Sequence, residues 1–144
     1  MNDRDLYSHS YIKGCWDYYV EWAPKYRYDA LGKDSIRTDC ELILQMIAVE
    51  HHWEILELAV MPDNVHIVLR TVQPENSGKV LFYLKGRSSY ELFKKHPNMR
   101  KRYPKAHYWS RGNFCRTVGV DLDVTRDYVR NQAGAFQQRL NQYS

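Results

Sequence analysis

The chain has 144 residues, 44 % apolar and 26 % charged, with a net charge of +4. That is one domain's worth of ordinary globular composition, which excludes a wholly disordered chain and leaves little room for a second domain. No apolar run approaches the ~20 residues needed to span a bilayer. The opening MNDRDLYSHS is not expected to act as a signal peptide, and three cysteines (Cys15, Cys40, Cys115) without CxxC spacing suggest neither a disulfide framework nor a zinc site. A reducing cytoplasm is the expected location.

In chain order, Trp16, Tyr18, Val20 and Trp22 alternate with Asp17, Tyr19 and Glu21. This predicts a half-buried strand from Cys15 to Trp22, ended by Ala23-Pro24. Asp34 or Ser35 then offers an N-cap to a helix carrying Ile36, Cys40, Ile43 and Ile47 and ending near His51–His52. The runs Trp53 to Met61 and Val65 to Val72, separated by Pro62-Asp63-Asn64, predict an antiparallel hairpin. A second helix is expected from Ser77 to Lys95, stopped by Pro97, followed by a basic connector over 98–106. His107 to Val118 read as one or two short strands broken by Gly119. Asp121 or Asp123 can cap a last helix reaching about Leu140, with Val129, Ala133, Phe136 and Leu140 as its buried stripe. This order predicts an α+β fold, a ferredoxin-like or RNA-recognition-like antiparallel sheet with helices packed on it.

Charge is unevenly distributed. Residues 85–105 carry eight cations against the single acid Glu91, so this segment holds +7 and the remainder −3. Tyr83, Tyr90, Phe93, Tyr103, Tyr108 and Trp109 are interleaved with it. Cations for phosphates and rings for bases are what single-stranded nucleic acid requires. A solvated helix face over core aromatics explains the same pattern equally well.

The chemistry-bearing residues fall at two places. Asn64 and His66 leave one strand end on the same face, as a ligand pair or as surface hydrogen-bonding groups. Tyr128 and Gln132 lie one helical turn apart, as a semi-buried pair or as a nucleophile and a ligand.

The stretches YYVEWAPKYRYDAL (18–31), VMPDNVHIVLR (60–70), LKGRSSYELF (84–93), YWSRGNFCRTVG (108–119) and DYVRNQ (127–132) together resemble, in register, the HUH-type single-tyrosine transposases of small insertion sequences and their REP-associated relatives. The resemblance implies one transposase domain over 1–144, with a ferredoxin-like fold whose C-terminal helix carries the tyrosine. It also implies metal-dependent cleavage and rejoining of single-stranded DNA through a 5′-phosphotyrosine, without a nucleotide cofactor. Tyr128 would be the nucleophile, and His66 and Gln132 metal ligands. Asn64 stands where the family's motif has its first histidine, and an amide oxygen beside one imidazole suits Mg²⁺ or Mn²⁺. The family binds DNA hairpins near element ends, for which Arg87, Lys94, Lys95, Arg100 and Lys101 are candidate contacts. It also implies a homodimer, with Gly119 as the hinge before the tyrosine helix, or a monomer of the REP-associated kind. The alternatives are a copy impaired at Asn64 that still binds hairpins, a non-enzymatic single-strand binder, and a small metal-dependent nuclease.

Overall fold

A computed structural model describes residues 15–26, 30–103 and 105–142. The opening decapeptide and residues 27–29 of the first landmark stretch lie outside the described residues.

Four strands form one sheet: β1 (Trp16–Pro24), β2 (Glu54–Val60), β3 (Val65–Thr71) and β4 (Trp109–Val118). Their spatial order is β2-β3-β1-β4 and every neighbouring pair is antiparallel. With α1 (Asp34–Glu50) after β1 and α2 (Ser77–Lys95) after β3, the chain runs β-α-β-β-α-β. That is the ferredoxin-like arrangement expected from the element order. A 3₁₀ helix (Pro97–Arg102) fills the basic connector, and α3 (Leu122–Gln142) closes the chain.

The sheet is covered on both faces. Tyr18, Val20 and Trp22 of β1 join Val65, Ile67 and Leu69 of β3 under α1 and α2. On the other face Tyr19, Val68 and Val118 pack with Leu122 and Val129 of α3. β1 is therefore buried along most of its length, where its alternation predicts a half-buried strand. The pattern reports which side chains share a face, and α3 supplies the second cover.

Local chemistry explains the element ends. Lys33 occupies the N-cap of α1 without a side-chain bond, because Asp34 is the first helical residue and its carboxylate is taken by Arg37. Asn76 caps α2 by accepting the Gly78 N–H at 2.7 Å. Lys94 and Lys95 sit in the last turn of α2, where cations suit the helix dipole, and Pro97 follows. On α3 the buried stripe runs through Leu122, Thr125 and Val129 to the partly buried Ala133 and Phe136. Leu140, predicted to continue it, is exposed.

Candidate active site

The face beneath α3 collects polar side chains in the middle of a sheet. In register, Glu21 of β1 lies opposite His66 of β3 and Phe114 of β4, and Tyr19 lies opposite Arg116. Since β1 and β3 are the two interior strands, Tyr19, Glu21 and His66 stand on the most constrained part of the fold, with Phe114 and Arg116 beside them on the edge strand β4.

His66 is 3 % exposed, and its Nδ1 lies 2.7 Å from the Tyr19 hydroxyl. The same hydroxyl donates to Glu21 Oε2 at 3.2 Å, and that carboxylate oxygen is 3.8 Å from His66 Nδ1. Burial holds the His66 pKa below the ordinary imidazole value, against the opposing pull of Glu21 and Asp63. Neutral imidazole, the form that can act as a ligand, is thereby favoured. Tyr19 is pushed far above the ordinary phenol range, first by burial and then by Glu21. Its proton stays in place at neutral pH.

Tyr128 enters from α3. Its ring centroid is 6.1 Å from that of His66 and 6.3 Å from that of Tyr19, edge-on to both. Unlike Tyr19, it is 49 % exposed. Two tyrosines thus flank one histidine, and only Tyr128 is open to a substrate.

The helix is fixed on either side of that residue. Glu57 of β2 accepts from Arg126 and Arg130, the two residues that bracket Tyr128 at a distance of two. Arg116 of β4 bonds Thr125 Oγ1 at 3.0 Å and Asp121 Oδ2 at 2.9 Å. Its guanidinium also lies 5.7 Å from the Tyr19 ring centre. Val129, fully buried, anchors α3 on the sheet.

Asn64 sits just before β3, and its Nδ2 donates to Asp63 Oδ1 at 2.8 Å. Its Oδ1 is buried and accepts no hydrogen bond from the described residues. An orphaned buried acceptor is costly unless a donor or a cation reaches it. Gln132 lies one turn after Tyr128 on α3, half-buried. No three His, Cys, Asp or Glu side chains among the described residues are grouped to hold a metal ion. With fewer than three such ligands at hand, the amide oxygens of Asn64 and Gln132 are the further donors that the family resemblance offers beside the His66 imidazole. A buried amide oxygen without a partner is the kind of donor a hard divalent ion takes, so this residue set fits one.

The family model described as "Transposase IS200 like" matches residues 15–132. The chain belongs to this family. It is similar to the transposase for insertion sequence element IS200 of Salmonella typhimurium, 29 % identical over 115 residues, covering 80 % of this chain and 75 % of the relative. The ISDra2 transposase TnpA of Deinococcus radiodurans is 27 % identical over 117 residues, covering 81 % and 83 % of the two chains. Among solved structures, a protein from Deinococcus radiodurans R1 described as a transposase superposes with a TM-score of 0.65 at 28 % identity, over 81 % of this chain and 89 % of that one. A REP-associated tyrosine transposase bound to a REP hairpin shares the fold, with a TM-score of 0.58 at 12 % identity over 79 % of this chain and 64 % of that one.

The basic segment of this IS200-like transposase divides in two. Arg87 is paired with Glu50 and Glu91, and Lys95 with Asp39, so these cations lock α2 to α1. Lys94 and Arg100 instead line a cavity of about 1000 Å³ with Lys25, Lys85, Lys105 and Arg111, and among the described residues no carboxylate lines it. Lys101 is exposed on the 3₁₀ helix. Most of the interleaved rings are core: Phe93, Tyr103, Tyr108 and Trp109 are buried against one another, with only Tyr90 largely exposed. The structural reading of those aromatics therefore holds, whereas part of the charge remains open to a polyanion.

Tyr19, Glu21 and Arg116 are site residues that sequence reasoning missed. The signal was present in the alternation of β1, which puts a phenol and a carboxylate mid-strand on the face away from the main core. Arg116 had no comparable mark, because only the β1–β4 register brings it over Tyr19.

Proposed function

We propose that this IS200-like transposase cleaves and rejoins single-stranded DNA beside a hairpin, with Tyr128 as the nucleophile. The observation that carries this reading is a half-exposed tyrosine held edge-on to a buried neutral histidine by a helix clamped at Glu57 and Arg116. Tyr128 Oη would form a bond to phosphorus and lose its proton as the phosphorus–O3′ bond breaks. The products are a 5′-phosphotyrosine on the enzyme and a 3′-hydroxyl that leaves with a proton. Because the phosphodiester is conserved as a phosphotyrosyl ester, attack by another 3′-hydroxyl rejoins a strand without a nucleotide cofactor.

A free phenol, pKa about 10, is a weak nucleophile at neutral pH, so the site must stabilise charge on the phosphate. Asn64, His66 and Gln132 would hold Mg²⁺ or Mn²⁺, and the bound ion supplies that charge stabilisation. All three donors are neutral, leaving the ion's full charge for the phosphate. Val129 and the Glu57 and Arg116 contacts fix the approach of Tyr128, which is the orientation part of the catalysis.

The hairpin would lie along the cation-lined cavity, with Lys94 and Arg100 on its phosphates. A REP-associated tyrosine transposase of the same fold is bound to a REP hairpin, which supports this reading. The test is incubation with labelled single-stranded hairpin DNA and Mn²⁺, followed by a denaturing gel. A denaturation-resistant protein–DNA band is expected. Cleavage without such a band would make the protein a hydrolytic nuclease, and binding alone would make it a non-enzymatic binder.

A further inference from the structure

We propose that Glu21, acting through the Tyr19 hydroxyl, is a positioning residue that holds His66 as its Nδ1–H tautomer and keeps the Nε2 lone pair free. The number of available protons decides the assignment. A carboxylate accepts and never donates, and a phenol has one proton to give. Glu21 Oε2 and His66 Nδ1 both lie within hydrogen-bond distance of the Tyr19 oxygen, at 3.2 and 2.7 Å. If Tyr19 gave its proton to His66, two oxygens would face each other at 3.2 Å with no hydrogen between them. The consistent assignment has Tyr19 donating to Glu21 and His66 donating from Nδ1 to Tyr19.

Electrostatics selects the same tautomer. The carboxylate oxygen is 3.8 Å from Nδ1, so the positive end of an Nδ1–H dipole faces it. Geometry leaves the chain little freedom to choose otherwise. Glu21 and His66 are register partners on adjacent interior strands, and Tyr19 is held between His66, Phe114 and Tyr128 with Arg116 over its ring.

The consequence rests on the reading of His66 as a ligand. A histidine ligand needs its other ring nitrogen to donate to an acceptor that orients the ring and raises its basicity. This chain has one imidazole where its family's motif has two, so the tautomer of that imidazole governs the only nitrogen donor.

The test uses the full-length protein, ¹⁵N-labelled and free of metal. Long-range proton–nitrogen spectra of the histidine rings report the tautomer, with His66 assigned by its absence in His66→Gln. Wild type should show protonated Nδ1 and bare Nε2. Glu21→Gln, at a half-exposed position that should not disturb folding, offers Tyr19 a donor as well as an acceptor. The Nε2–H form should then appear, and it should appear again in Tyr19→Phe. Mn²⁺ affinity, read by paramagnetic relaxation of water, should fall about 10-fold in both variants. A wild-type His66 protonated on Nε2, or an unchanged tautomer in both variants, would overturn the proposal. A tautomer shift with unchanged Mn²⁺ affinity would support it while removing His66 from the metal ligands.

Discussion

Tyr19 and Tyr128 lie equally close to His66 in ring distance, yet their surroundings give them opposite chemistry. Tyr19 is buried with its proton directed at a carboxylate, whereas Tyr128 faces solvent. Tyr128→Phe should therefore abolish the covalent adduct while leaving hairpin binding within about twofold, because the missing hydroxyl is the reacting atom and the ring's packing is retained. Tyr19→Phe should still form the adduct, more slowly. Gel quantification of both variants checks this, and an adduct surviving in Tyr128→Phe would contradict the assignment. Asn64 is the other informative position, since its buried Oδ1 has no donor among the described residues. Asn64→His should raise Mn²⁺ affinity and move activity from Mg²⁺ towards Mn²⁺, imidazole being the softer donor. Asn64→Ala should weaken the response to both ions. Identical metal titrations for wild type and the two variants would show that position 64 does not touch the ion.

At the scale of elements, the reach of Tyr128 depends on how α3 is held. Val129→Ala removes two methyl groups from a fully buried side chain and should cost about 2 kcal/mol, measured by urea unfolding. Glu57→Gln weakens the bonds to Arg126 and Arg130, which are partly exposed, and should cost about 1 kcal/mol. Its larger effect should be on adduct formation relative to hairpin binding, because it loosens the turn that carries Tyr128. Equal reductions in both would contradict a positioning role for Glu57. These elements were largely legible in the sequence. Alternation in β1, the Pro62-Asp63-Asn64 turn and the Pro97 stop are local signals, and they place the strands and helices to within a few residues. Two things were not local. The second cover over β1 depends on α3 folding back, and the pairing of Glu21 with His66 depends on strand register. Asp34 shows the reverse case, where a good capping residue is drawn into the helix because Arg37 competes for its carboxylate.

Across the whole molecule, charge is sorted by what faces it. Arg87 and Lys95 are neutralised by acids of α1 and α2, while the cavity lined by Lys94, Arg100 and Lys105 has no carboxylate among the described residues. Hairpin affinity should fall steeply with salt. Replacing Lys94, Arg100 and Lys105 by Ala should flatten the log–log slope by about 0.7 to 0.9 for each phosphate that the protein no longer neutralises. Replacing Arg87 and Lys95 should lower stability and leave the slope nearly unchanged. If the second pair flattens the slope and the first set does not, the DNA surface lies elsewhere. The central claim, that Tyr128 becomes bonded to DNA, is tested most directly by locating the bond. After reaction with hairpin DNA and Mn²⁺, nuclease and trypsin digestion should leave a nucleotide on the peptide Asp127-Tyr128-Val129-Arg130, visible by mass spectrometry. A nucleotide on the peptide carrying Tyr18 and Tyr19, or cleaved DNA with every tyrosine peptide unmodified, would contradict the account.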